Sequence, residues 1–533
     1  MTHQEGLAIA MPAYCAGRRP LRRVASLPQG GRDARARRVV IRGDCPGMRT
    51  LFDLSLLILH ILTVARAITR PNREPAARVA WVAVIMFLPL LGIVAYLFLG
   101  ETSIGRERMR RLRAAEDRTA RPDDAAFAPE FADPETLSQF ALCRSIDGLA
   151  PVAGNRIVLL GNPEAPVDQP ERDSNSAIDA LVRDITQAIE HVHISFYIWL
   201  DDGNGGKVAD ALMDAARRGV RCRVIVDALG SRGFIRSARW RQLRDAGVTA
   251  VATMNDIPRL GHLAVGRVDL RNHRKIVIID NRIAYCGSQN CADPAFRIKA
   301  KYAPWIDIFL RCEGPVVRQA QFLFLCTWIA ETGEALEGLA AAGPMPERFE
   351  PGSVAQMYGT GSTTQGNVMS AAFVGAIYAA HKELIITTPY FVPDEAVLRA
   401  LCAAPRRGVE TTVIFPARND SWLVACTSRS CYADLLASGV KIYEYPLGLL
   451  HAKSITIDSK IALVGSANMD RRSMQLNFEN NLLLADTDVV ASIRLRQQGY
   501  LGVSQPVGLD AVTSWPFRTR LVQNAVSMLG PVL

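Results

Sequence analysis

The stretch "HISFYIWL" (193–200) reads as a buried strand, "KVADALMDAARRGV" (207–220) as a helix and "RCRVIVDA" (221–228) as a second strand. A short apolar run bounded by polar residues is what a strand covered on both faces requires. The unit returns as "ELIITTPYFV" (383–392), "EAVLRALCAAPRRGV" (395–409) and "ETTVIFPA" (410–417). Gly219 and Gly408 end the two helices, where a left-handed residue stops the turn. Strand, helix and strand, written twice, predict an α/β fold of mixed, parallel-rich sheets flanked by helices and built as an internal repeat.

Each copy leads to one motif, "HRKIVIID" (273–280) or "HAKSITID" (451–458). A strand alternates its side chains with period two. His273 and Lys275 therefore share one face and Asp280 takes the other; His451, Lys453 and Asp458 repeat the pattern. A short turn and a second strand follow, ending in "GSQN" (287–290) or "GSAN" (465–468). Such a hairpin folds Ser288 and Asn290 back toward His273 and Lys275. The lysines are informative because the chain holds 62 basic residues and only eight are Lys.

Composition narrows the function. The chain has 533 residues, room for two or three domains, and a net charge of +10 that invites an anionic partner. Nine Arg against Glu5, Asp33 and Asp44 put six of those charges in residues 1–47, so the rest is too mildly basic to read as a nucleic-acid binder. Eleven Cys show no CxxC pair and no metal-ligand spacing, which fits reduced, mostly buried thiols.

Residues 1–47 read as a disordered basic head, or as sequence upstream of a true start at Met48. Two apolar stretches follow, 51–68 and 79–100, the second uncharged and about the 20 residues a bilayer needs. They predict a hairpin of two transmembrane helices over 48–100. Arg106, Arg108, Arg110, Arg111 and Arg113 outnumber Arg66, Arg70, Arg73 and Arg78 of the intervening loop, which puts the catalytic part in the cytoplasm. A basic connector (101–149), a first domain (150–330), a linker (331–353) and a second domain (354–533) complete the expected organisation.

A His, a Lys, an Asn and a Ser, each supplied twice, make a pocket for the oxygens of a phosphodiester. One neutral imidazole can attack phosphorus while a protonated one gives its proton to the leaving alkoxide. The ammonium groups stand where a metal cation would, so the site reads as metal-free and needs no cofactor.

The twin motifs resemble the paired HKD motifs of the phospholipase D superfamily. With "TPYFVPD" (388–394), "NMDRRSMQLNFENN" (468–481) and the ending "WPFRTRLVQNAVSMLGPVL", the chain resembles the bacterial cardiolipin synthase branch from about residue 51 onward. The resemblance implies two phospholipase D-like sandwich domains behind a membrane hairpin, in the bacterial inner membrane. It implies phosphatidylglycerol and other anionic lipids as partners, and a phosphohistidine intermediate giving cardiolipin and glycerol. His273, Lys275, Asp280, His451, Lys453 and Asp458 form the catalytic set, with Asp280 and Asp458 bracing it from the opposite strand face. By analogy His273 is the nucleophile and His451 the acid and base, although the residues themselves are symmetric. Ser288, Asn290, Ser466 and Asn468 would bind phosphate oxygens. An acid would orient each imidazole: Glu479 for His451 and Asp307 for His273. A membrane-bound hydrolase of the same superfamily and an inactive HKD scaffold remain alternatives on sequence alone.

Overall fold

The structure, a computed structural model, describes residues 46–70, 75–100, 106–131, 133–161, 171–255, 270–341, 345–361, 363–364, 366–528 and 530. The expected basic head lies outside them up to residue 45.

A 15-stranded sheet runs through both repeats. From one edge it carries Thr249–Thr253, Arg221–Asp227, His191–Phe196, Ile276–Ile279, Ile283–Gly287, Phe309–Glu313 and Val152–Leu159. From the other, after the short strand Gln505–Val507, it carries Lys441–Tyr445, Glu410–Pro416, Glu383–Thr387, Ser454–Ile457, Ile461–Gly465, Glu479–Ala485 and Ser353–Thr360. The two sequences of strands match position for position, so the repeat seen in the residues is a repeat in space. The copies join where Val152–Leu159 lies antiparallel to Ser353–Thr360. Within each copy the repeated units pair in parallel, His191–Phe196 with Arg221–Asp227 and Glu383–Thr387 with Glu410–Pro416. Gly219 and Gly408 stop their helices at φ of +93° and +86°.

Alternation sorts the strand after the first motif between two cores. Ile276 and Ile278 pack in the cluster that holds the helix Val316–Thr332; Val277 and Ile279 pack in the one that holds Gly203–Arg217. Each such fully buried side chain contributes about 1.5–3 kcal/mol, which fixes the register of the strand against a one-residue slip. The nine described cysteines are free thiols, six of them buried.

The second apolar stretch departs from expectation. Thr50–Thr69, within the helix Pro46–Thr69, is long and apolar enough to cross a membrane. Residues 79–100 do not form one continuous helix: Pro75–Phe87 ends, Leu88 turns out of helical geometry (φ −125°, ψ 72°), and Pro89–Ala95 begins anew. Pro89 has no N–H to give and its ring crowds the preceding turn. Trp81 and Tyr96 meet edge to face at 5.4 Å, so the two segments fold back on each other. Gly92 allows it, since a Cβ there would lie 2.4 Å from the Val84 carbonyl oxygen.

Candidate active site

The hairpins form as the pattern predicts, but His273 and Lys275 lie in the extended segment entering Ile276–Ile279, and His451 and Lys453 likewise precede Ser454–Ile457. There the chain pairs with the other repeat. The His273 N–H donates to the Phe478 carbonyl at 2.9 Å, and Asn272 bridges to Phe478. In the mirror position Trp305–Ile306 lies parallel to Leu449–Leu450, and the His451 N–H donates to the Ile306 carbonyl at 2.7 Å.

These pairings decide which acid meets which histidine. Glu479, next after Phe478, places Oε2 2.7 Å from His273 Nδ1. Asp307, next after Ile306, places Oδ1 2.6 Å from His451 Nδ1. The sequence expectation had the two acids the other way round; each acid in fact crosses to the imidazole of the other repeat. With Nδ1 engaged, Nε2 is the nitrogen each ring has left for chemistry.

Ser288 and Ser466, expected at phosphate, serve the acids instead. Ser288 Oγ donates to Asp307 Oδ1 at 2.6 Å, and Ser466 Oγ donates to Glu479 Oε2. A hydroxyl beside a buried carboxylate has no stronger acceptor to choose. Glu479 gathers two more donors that sequence reasoning missed, Ser473 Oγ at 2.8 Å and Asn477 Nδ2 at 3.3 Å. Both lie in the quoted run before Glu479, but their spacing carries no periodic signal. Asn290 gives its Oδ1 to the Ile198 N–H at 3.3 Å, which leaves its amide donors to the site. Asn468 leans on Ser473 Oγ through its backbone N–H and, at 3.5 Å, through Nδ2.

Asp280 and Asp458 brace the motif and touch neither imidazole. Asp280 accepts from the N–H groups of Ile189, Glu190 and His191, each at 2.8 Å. Asp458 accepts from those of His381, Lys382 and Glu383 at 2.7–2.9 Å. Positive φ at Asp280 and Asn281, and at Asp458 and Ser459, marks the two-residue turn that right-handed strand twist favours. Within the catalytic set expected from sequence, these two hold the bracing place expected of them.

Lys275 Nζ donates to the His273 carbonyl at 2.8 Å and Lys453 Nζ to the His451 carbonyl at 2.6 Å, so each ammonium stays beside its own imidazole. Tyr197 packs edge-on against His273 at 4.9 Å, with Lys275 Nζ 5.4 Å from the centre of its ring; Trp305 packs against His451 at 4.6 Å.

Burial controls the protonation of this cluster. It pushes His273 down to about 4, with Glu479 pulling the other way and Lys275 adding to the push. Burial and then Lys453 push His451 to about 4 against the pull of Asp307. Burial likewise lowers Lys275 to about 7 and Lys453 to about 8. For the acids burial acts upward, but His273, Lys275 and Ser466 outweigh it at Glu479, and His451, Lys453 and Ser288 at Asp307. Both carboxyls end below their ordinary range. At neutral pH both imidazoles are neutral, both acids charged, and the lysines poised. A phosphodiester anion between the lysines would draw all four basic groups toward protonation.

A family model described as "Cardiolipin synthase, PLD-like domain" matches residues 181–306 and 373–496. One described as "Phospholipase_D-nuclease N-terminal" matches residues 58–101. Cardiolipin synthase A of Cronobacter sakazakii is 38% identical over 482 residues, 89% of this chain and 96% of the relative. Its counterpart in Salmonella arizonae is 37% identical over 480 residues, with the same shares. In fold alone, the crystal structure of phosphatidylserine synthase from Haemophilus influenzae aligns with a TM-score of 0.53 at 11% identity, over 74% of this chain and 100% of the other. With two matched repeats, and relatives this similar along nearly their whole length, the chain belongs to the cardiolipin synthase family of phospholipase D-like proteins.

Proposed function

We propose that the chain transfers a phosphatidyl group from one phosphatidylglycerol to the glycerol headgroup of another, yielding cardiolipin and free glycerol. The observation that supports this best is the crossing of the acids, because it makes one centre out of two histidines 178 residues apart (451 less 273). In the first step His273 Nε2 attacks phosphorus, the bond to the glycerol oxygen breaks, and His451, which takes up a proton from solvent together with the substrate anion, gives that oxygen its proton. In the second, His451 takes the proton from the acceptor hydroxyl, which attacks phosphorus and breaks the P–N bond. One phosphodiester replaces another, so no nucleotide is consumed.

Lys275, Lys453, Asn290 and Asn468 hold the phosphate oxygens, and Glu479 and Asp307 fix the tautomer of each imidazole. Burial keeps the attacking ring unprotonated at neutral pH, and the substrate anion has to offset the same burial at His451. Residues 150–330 and 354–533 act as the two catalytic domains, joined by 331–353.

The enzyme is anchored in the bacterial cytoplasmic membrane by Thr50–Thr69, with Pro75–Phe87 and Pro89–Ala95 as a folded-back pair in the near leaflet. Arg70, Arg78 and the Arg106–Arg118 helix then lie on the side of the catalytic domains, which this reading puts in the cytoplasm.

Purified protein supplied with phosphatidylglycerol vesicles tests the reaction. Cardiolipin and glycerol in equal amounts support it; phosphatidic acid as the main product would make the chain a hydrolase, and no lipid turnover would make it a scaffold.

A further inference from the structure

The C-terminal helix Phe517–Ser527 turns large apolar side chains outward, with one polar residue, exposed Asn524, among them. Phe517, Leu521 and Met528 are 70%, 55% and 74% exposed, whereas Gln523 and Val526 face inward. At about 100° per residue, Phe517, Leu521 and Met528 fall within roughly 40° of one another, opposite Val526. Arg518 and Arg520 lie about 60–100° to either side of that stripe. A stripe of large apolar side chains flanked by cations is what a helix lying in a bilayer interface presents.

The neighbourhood extends the pattern. The helix packs against Trp422–Ser430, whose first residue, Trp422, is 62% exposed. Trp422 borders a groove of about 290 Å³ with Arg418, Lys301, Tyr302 and Pro389. Arg418, Arg518 and Arg520 have no ion pair among the described residues. Across the groove the segment Arg297–Tyr302 adds Arg297, Lys301 and exposed Ile298, and Lys299 ties it to Asp420. The groove adjoins the chemistry: Pro389 precedes Tyr390, whose hydroxyl donates to Asp420 at 2.7 Å and whose ring lies 6.3 Å from that of His451.

We propose that this face, made of the Phe517–Leu521–Met528 stripe, Trp422 and the surrounding cations, seats on an anionic lipid bilayer and presents the His451 side of the site to lipid headgroups. Its occupant is a membrane surface because the charges match an anionic leaflet and the apolar residues form a shallow stripe. The assignment rests on the lipid-transfer reading above, and it places a second membrane contact far along the chain from the apolar helix Thr50–Thr69.

The test uses the full chain reconstituted in vesicles of phosphatidylglycerol. First, the fluorescence difference between wild type and Trp422→Phe isolates Trp422. It should be quenched by dibrominated phosphatidylglycerol and much less in brominated phosphatidylcholine vesicles; absence of quenching overturns the proposal, whatever the enzyme's activity. Second, Leu521→Glu with Met528→Glu should lower turnover in vesicles about tenfold and leave turnover of monomeric short-chain phosphatidylglycerol unchanged. Equal loss in both assays, or no loss in vesicles, overturns it. A wild-type dimer in detergent that this double variant converts to monomer would assign the face to a second copy, and also overturns it. Failure of wild type to turn over any phosphatidylglycerol would sink the catalytic reading while the quenching still judges the surface.

Discussion

His451 Nδ1 lies 2.6 Å from Asp307 Oδ1, a carboxylate 144 residues earlier in the chain and in the other repeat. Its mirror, His273 with Glu479, spans 206 residues. Each imidazole is thus oriented by the repeat that does not contain it.

Asp307→Asn and Glu479→Gln should each lower kcat by about 10²–10⁴-fold, because an amide can present an N–H to Nδ1 and turn the ring to the wrong tautomer. Groups acting as one unit are not additive, so the double variant should fall little below the worse single one. Steady-state rates on vesicles, with circular dichroism as a folding control, give the answer; a double loss equal to the product of the single losses would refute a shared centre.

Replacing one histidine at a time reveals its role. His451→Ala should form a phosphohistidine on His273 slowly, for want of an acid for the leaving glycerol, and hold it, so that it survives denaturation at alkaline pH and shows as added mass, while His273→Ala should form none. An adduct on His451 in the second variant would reverse the assignment.

The pH dependence of kcat/KM should be bell-shaped. As pH falls through about 4, the imidazoles, held low by burial, take up protons and the nucleophile is lost. As pH rises through about 7 and then 8, Lys275 and Lys453 lose the charge that draws the phosphodiester, KM climbs, and the proton that the bound anion lets His451 hold is lost with it. Bound substrate anion holds those ammonium groups charged, so the alkaline limb of kcat should lie at higher pH than that of kcat/KM. Coincident alkaline limbs would remove the lysines from substrate binding.

Asp280→Ala should destabilise the fold by about 2–4 kcal/mol, since three backbone N–H groups lose a charged acceptor at once. The folded fraction should keep its rate within a few-fold. Denaturant titration beside the vesicle assay separates the two effects, and a large rate loss without loss of stability would return Asp280 to the chemistry.

In the proposed chemistry Lys275 and Lys453 take the part a metal cation plays elsewhere, so EDTA at millimolar concentration should leave turnover unchanged in desalted protein. Inhibition reversed by one added divalent cation would contradict the proposed chemistry.

The sequence disclosed what local pattern can carry. Two strand–helix–strand units, a repeated His–Lys pair and a turn after each motif Asp are all written in runs of a few residues, and all appear in the fold. The exchange of acids was illegible because two-residue pairings decide it, Trp305–Ile306 with Leu449–Leu450 and the bridge at Asn272. Segments that short have no periodicity, and their partners lie more than a hundred residues away. Ser288 and Ser466 were misplaced for the same reason: their partners belong to the exchange. The break at Leu88 was visible in principle through Pro89, but an uncharged run of membrane length outweighed it.

A continuous sheet with crossed acids also has a consequence for inheritance. The chain bears the marks of duplication, yet its halves are no longer free to diverge separately. A slip of one half against the other would draw both histidines from their acids together, because the pairings that set them, Trp305–Ile306 with Leu449–Leu450 and Asn272 with Phe478, both cross between the halves. Expressed apart, neither half would be half an enzyme; each would hold an imidazole that lacks its acid and an acid that lacks its imidazole.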